Sequence, residues 1–186
     1  MPLLMLKDLP RYECLLAAAR EFPDLDPSAT EVFLHLLRAG DEAFRVVESQ
    51  LARHDLTQGG FSVLMALWGH CQRNGRKEPL SPAGLAERTG VTRATMTGLV
   101  DTLQRGGFVR RAPDAEDRRM IIVELTPRGE KLLRKVLPDH FRQMAWLMAP
   151  YSENERKTLV RLLTKLLRRT AEDDGRPARE TAAASS

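Results

Sequence analysis

LSPAGLAERTGVTRATMTGLVDTLQRGGFV, residues 80 to 109, carries the densest local instructions in the chain. Ser81 precedes Pro82, so Ser81 suits the N-cap and Pro82 the first position of a short helix. Leu85 and Ala86 face inward from it, and it ends near Gly90. Thr92 then caps a second helix, expected over residues 92–105. Met96, Leu99, Val100 and Leu103 stand at i, i+3, i+4 and i+7, which makes one buried stripe. Gly106-Gly107 closes this helix in the manner of a left-handed cap. Two helices joined by a short glycine-containing turn form the helix-turn-helix layout.

Immediately downstream, Phe108 to Ala112 and Met120 to Leu125 have strand character, and the charged segment PDAEDRR, residues 113 to 119, lies between them. A Pro-Asp opening followed by charges suits an exposed hairpin loop, a wing beside the helix-turn-helix. The second helix fits a major groove about 12 Å wide. Its face opposite the apolar stripe carries Arg93, Ala94, Thr97, Gly98 and Asp101. Thr92, Arg93 and Thr95 sit at its N-terminus, where backbone N–H groups favour phosphate. Arg93 suits a bidentate bond to guanine, and the threonines suit bases, phosphates or the thymine methyl. Gly98 costs about 1 kcal/mol relative to Ala. Either DNA approaches the helix closely there, or the glycine is a tolerated surface residue.

The wing arginines Arg118 and Arg119 suit a narrow minor groove, whose negative potential is enhanced. Asp117 is placed to pair with an arginine and fix its direction. An exposed pair of this kind contributes only about 0–1 kcal/mol to stability. A solvated charged turn is the alternative, and the position directly after a helix-turn-helix favours DNA contact. The candidate DNA-binding set is Ser81, Thr92, Arg93, Thr95, Thr97, Gly98, Asp117, Arg118 and Arg119.

Elsewhere the chain reads at helical period. RYECLLAAAREF, residues 11 to 22, predicts a short helix. Ser28 with Glu31 fits a capping box, opening a helix that runs to about His54. Residues 56 to 60 read as a turn with paired glycines, followed by an apolar helix from Phe61 to about Cys71. Thr126-Pro127 starts another helix, which Pro138 should kink or break. Ser152 and Glu155 form a second capping box, followed by a seam of Leu159, Leu162, Leu163, Leu166 and Leu167. From about Ala171 the composition predicts a disordered tail.

The 186 residues are 42% hydrophobic, enough for one sizeable core or a core with helical extensions. A net charge of +4 and a pI near 9.4 permit nucleic-acid binding without arguing for it. No apolar run reaches the roughly 18 residues of a membrane span, and the apolar start is too short for a signal peptide. A cytoplasmic protein is therefore expected.

The order from Leu80 to Gly129 resembles the winged helix-turn-helix of the MarR family of bacterial transcription regulators. The most specific match is DRRMIIVELTPRG, with Asp117, Arg119, Leu125-Thr126 and Gly129, and the likeness extends over residues 28 to 170. The resemblance implies a mainly α fold with a two-stranded β wing and N- and C-terminal dimerisation helices. It implies a homodimer on double-stranded DNA, each lobe reading one half of a pseudo-palindrome. Arg119 would enter the minor groove and Asp117 would orient it. Many members are repressors released by a small aromatic or anionic effector bound between the dimer helices and the DNA lobe.

The implied division is an N-terminal extension at 1–27 with one short helix, dimerisation helices at 28–55 and 127–170, a winged helix-turn-helix at 56–126, and a disordered tail at 171–186. An extra N-terminal helix also occurs in urate-responsive members. Their ligand aspartate would align near Ser62, and this chain lacks it. Phe61, Ser62, Met65 and Trp68 are the candidate effector-pocket residues.

Other readings stay beside this one. Cys14, between Arg11 and Arg20, is a candidate redox sensor, although it sits in an apolar run. Cys71 reads as structural. The four histidines show no metal-ligand spacing, so neither metal nor cofactor is expected. GxSxG, HExxH, P-loop, GxGxxG and CxxC motifs are absent from the sequence, so no enzyme is expected. A winged-helix protein-interaction module is the remaining alternative, and Arg93, Arg118 and Arg119 argue against it.

Overall fold

A computed structural model of the chain describes residues 8–73, 80–114, 117 and 119–173. In these the order is α1 (Tyr12–Glu21), α2 (Pro27–Ala52), α3 (Gln58–Arg73), α4 (Pro82–Thr89), α5 (Arg93–Arg105), β1 (Val109–Pro113), β2 (Ile121–Leu125), α6 (Pro127–Leu147) and α7 (Glu153–Asp173). The protein is mainly helical, with one antiparallel two-stranded sheet that pairs Val109 with Leu125 and Pro113 with Ile121. No helix among the described residues is long and apolar enough to cross a membrane.

Residues up to Gln143 form one compact unit, and those from Met144 onward form a second. The core of the first unit lies in the winged helix and extends onto α2 and α6. Leu64, Leu85, Met96, Val100, Leu133 and Val136 are shielded from solvent, and Val109 and Val123 of the sheet join them. The Val123 N–H donates to the Leu80 carbonyl at 2.8 Å, so the segment before α4 forms a short third edge to the wing. At the N-terminal side α1 packs on α2 and buries Leu15.

Four expectations need correction. Helix α2 is capped by Asp26, not Ser28. The Asp26 carboxylate accepts from the Ser28 and Ala29 N–H groups, and Ser28 donates its own hydroxyl to the same oxygen. Pro27 has no N–H to satisfy and takes the first helical position. Gly59 and Gly60 lie inside the first turn of α3, where the Thr57 hydroxyl accepts from the Gly60 N–H. A Cβ on Gly59 would stand 2.9 Å from a methyl of Leu99, so the glycine serves close packing of α3 on α5.

Pro138 lies within an unbroken α6. Its missing N–H leaves the Arg134 carbonyl without an i+4 donor, but both residues are exposed, so the carbonyl is open to solvent. Burial of Leu133, Val136 and Leu137 outweighs the lost bond. Finally, α7 continues to Asp173, past the expected start of the tail; residues 174–186 lie outside the described residues. The second capping box forms as expected: the Ser152 hydroxyl donates to Glu155 Oε2 at 2.6 Å and the Ser152 N–H donates to the same oxygen at 2.8 Å, and these two bonds hold the Glu155 pKa below its usual value.

Candidate nucleic-acid interface

Local capping builds this surface. Ser81 is half-buried and its hydroxyl accepts from the Gly84 N–H at 3.1 Å, which starts α4. Gly90 ends α4 with φ +68, a conformation L side chains rarely adopt. Thr92 then caps α5 by accepting from the Thr95 N–H at 3.1 Å, and the two hydroxyls lie 2.9 Å apart.

The two faces of α5 differ sharply. Met96, Val100 and Leu103 are buried in the core, whereas Leu99, expected in the same buried stripe, is only half-buried against it. Arg93, Ala94, Thr95, Thr97, Gly98, Asp101 and Thr102 are all exposed. The Thr97 hydroxyl donates to the Arg93 carbonyl at 2.9 Å, which turns its lone pairs and methyl outward. A Cβ on Gly98 would meet nothing within 4 Å, so packing inside the chain gives no reason for a glycine there.

Gly107 at φ +70 closes α5, with the Phe108 N–H donating to the Leu103 carbonyl at 2.9 Å and the Gly107 N–H to that of Gln104 at 2.9 Å. This is the Schellman pattern, and it turns the chain directly into β1. Thr126 locks the far end of the wing: its hydroxyl donates to the Gly107 carbonyl at 2.7 Å and accepts from the Gly129 N–H at 3.1 Å. A Cβ on Gly129 would stand 2.2 Å from the Phe108 carbonyl oxygen, so only glycine fits where α6 starts against the turn between α5 and β1.

In the wing loop the Asp114 N–H donates to the Met120 carbonyl at 2.9 Å, and the Met120 N–H donates to that of Asp117 at 2.8 Å. The Asp117 carboxylate accepts from the backbone N–H of Arg119 at 3.0 Å. Asp117 thus acts on the backbone that carries Arg119, whose side chain is exposed. Arg118 lies outside the described residues.

Sequence reasoning missed two charged contacts. Arg110 pairs with Glu124 across the wing at 2.6 Å. Arg111 reaches back from β1 to α5 and bonds Asp101 at 2.6 Å and Gln104 at 2.7 Å. Asp101 and Gln104 stand at i, i+3, which was legible, but their partner is set by the hairpin and was not.

The candidate effector residues share α3. Phe61 is buried in the core, and Ser62, Met65 and Trp68 are half-buried. The Phe61 ring packs on His140 of α6 with centroids 4.7 Å apart. The His140 Nδ1 is buried with no hydrogen-bond partner, and loss of hydration holds its pKa below the ordinary 6.5. On α2, Gln50 is buried with neither amide atom hydrogen-bonded. Cys14 is a reduced thiol exposed on α1, despite its apolar sequence neighbours. The side chain of Cys71 lies outside what the structure describes.

A family model described as the MarR family matches residues 69–120. The HTH-type transcriptional repressor YetL of Bacillus subtilis (strain 168) is 37% identical over 164 residues, spanning 88% of this chain and 95% of that protein. BpsR of Bordetella bronchiseptica, solved in a study of how 6-hydroxynicotinic acid regulates its DNA binding, superposes with a TM-score of 0.60 at 26% identity, over 71% of this chain and 90% of that one. A MarR mutant from E. coli in complex with operator DNA superposes with a TM-score of 0.66 at 23% identity, over 77% of this chain and 99% of that one. At that identity the last likeness shows the fold alone.

Proposed function

The chain belongs to the MarR family of winged-helix transcriptional regulators, and from that premise we propose that it represses transcription by binding a pseudo-palindromic operator as a homodimer. One observation carries this reading. The outward face of α5 bears small and polar groups around an open Gly98, while its inner face closes the core. That face enters the major groove, with Arg93, Thr95 and Thr97 on base edges and Thr92 near a phosphate. Ser81 contributes by fixing the start of α4. Arg119, with Arg118 beside it in sequence, enters the minor groove, and Asp117 holds the Arg119 backbone in place. The protein works by binding alone, without catalysis.

Residues 56–126 form the DNA-binding part in this reading, and residues 28–55 and 127–170 form the dimer. Exposed Val32, Phe33 and Phe44 on α2 and Val160, Leu162, Leu166 and Leu167 on α7 supply the apolar surface that a second copy would cover. The effector is a small aromatic or anionic molecule held near Phe61, Ser62, Met65 and Trp68. The buried, unpartnered polar atoms of Gln50 and His140 support a ligand site on these helices, since such atoms are costly to leave unmet. The regulation of BpsR by 6-hydroxynicotinic acid is consistent with that chemistry.

Selection from a random duplex pool at fixed salt, with Arg119→Ala in parallel, tests the reading. The expected result is an inverted repeat with half-sites about 10 bp apart, enriched by the wild type and weakened in the variant. No enrichment by a folded, dimeric protein would defeat it and favour a protein-interaction module.

A further inference from the structure

Asp101 sets a problem for a surface that meets DNA. It lies on the outward face of α5, its side chain is 50% exposed, and a bare carboxylate there would repel phosphate. Arg111 of β1 answers it. One terminal nitrogen of its guanidinium bonds Asp101 Oδ1 at 2.6 Å and the other bonds Gln104 Oε1 at 2.7 Å. The planar fork is thus held by two acceptors one turn apart on α5. Neighbouring strand residues point to opposite faces, so Arg110 turns away to Glu124 while Arg111 turns to the helix. Gly98, Thr102 and Arg105 line the same groove. Stability is a poor reason for the arrangement, because half-exposed pairs contribute about 0–1 kcal/mol.

We infer that Arg111 is a positioning residue of the DNA-binding surface that acts through Asp101: it masks the one acidic side chain on the outward face of α5, so that this face approaches the phosphates as a non-repelling surface. The inference rests on the DNA-binding reading above. It differs from a direct phosphate contact by Arg111, whose guanidinium is already held by Asp101 and Gln104.

The test is binding of the duplex that the wild type selects from a random pool, followed by fluorescence anisotropy across a potassium chloride series. Wild type, Arg111→Met, Asp101→Asn and the double variant are compared. Arg111→Met should weaken binding about tenfold at low salt by unmasking the carboxylate, and the deficit should shrink as added salt screens the repulsion. Asp101→Asn should bind at least as tightly as wild type, and the double variant should return to within about threefold of it. A double variant as weak as Arg111→Met overturns the inference and makes Arg111 a direct phosphate contact, since removing the carboxylate then restores nothing. Undiminished affinity in Arg111→Met also overturns it. If Arg111→Met does not fold, Asp101→Asn decides alone, since weakened binding by that variant contradicts masking. A wild type that selects no duplex defeats the DNA-binding reading itself, and the inference falls with it.

Discussion

The winged-helix lobe and helix α7 both carry aliphatic residues at helical spacing, yet they dispose of them in opposite ways. In the lobe Leu64, Leu85, Met96 and Val100 are each 0% exposed. On α7 Val160 is 64% exposed and Leu167 67%. The lobe satisfies its apolar pattern within one chain, because three helices and a hairpin supply facing surfaces. Helix α7 presents a leucine seam that the described residues of its own unit leave exposed. An apolar pattern therefore specifies burial without specifying which chain provides the cover, and here the difference separates a part whose core one chain closes from a part proposed to dimerise.

The largest expected effect breaks the comparison on the lobe side. Leu64→Ala should cost about 2–5 kcal/mol, read as a denaturation midpoint lowered by the same amount at every protein concentration. Leu166→Ala should act differently. Its effect should grow as the protein is diluted, because it weakens association, and light scattering should show monomer at concentrations where the wild type is dimeric. A concentration-independent loss in Leu166→Ala would place that residue in an intramolecular core and erase the contrast.

Next in size is Gly98→Ala. The open space around Gly98 accepts a methyl, so the variant should gain about 1 kcal/mol of stability from helix propensity. Operator affinity should fall in the same protein, since the methyl enters the space through which DNA approaches. Unchanged affinity in a stabilised Gly98→Ala would make the glycine a tolerated surface residue.

The smallest effect concerns His140 beside Phe61. Its folded pKa lies below the unfolded value of 6.5, so the unfolded chain binds this proton more readily. Stability should be highest above about pH 6.5 and decline as the pH falls through that value toward the folded pKa. Melting temperatures between about pH 7.5 and 5.5 would show the slope, and His140→Gln should flatten it. An equal slope in the variant would assign it to other groups.

Much of the lobe was legible in the sequence. Ser81, Thr92, Thr126 and Ser152 read as caps, and each accepts from the N–H three residues on, as the sequence spacing requires. The stripe at Met96, Val100 and Leu103 was legible for the same reason, since helical period is a local property. The misreadings occurred where two local rules competed or a distant contact intervened. Asp26 and Ser28 are both competent caps, and Pro27 between them decides for Asp26. The pair Gly59-Gly60 reads locally as a turn, but Leu99, forty residues later, packs where a side chain would have stood. Pro138 reads as a break, but the burial of its helix neighbours on the inner face holds α6 together.

The candidate interface divides along the same line. Arg93, Thr97 and Gly98 share the outward face of α5 because 3.6 residues per turn put them there, and any reader of the sequence can place them. The contact from Arg111 to Asp101, and the carboxylate of Asp117 on the Arg119 backbone rather than on its side chain, depend on the hairpin's register and on its angle against the helix. The helices, most of their caps and the order helix, turn, helix, wing follow from interactions between residues a few positions apart, and so are readable along the chain. Which charges meet and which apolar faces stay open depends on packing, because side chains distant in sequence meet only after the chain has folded.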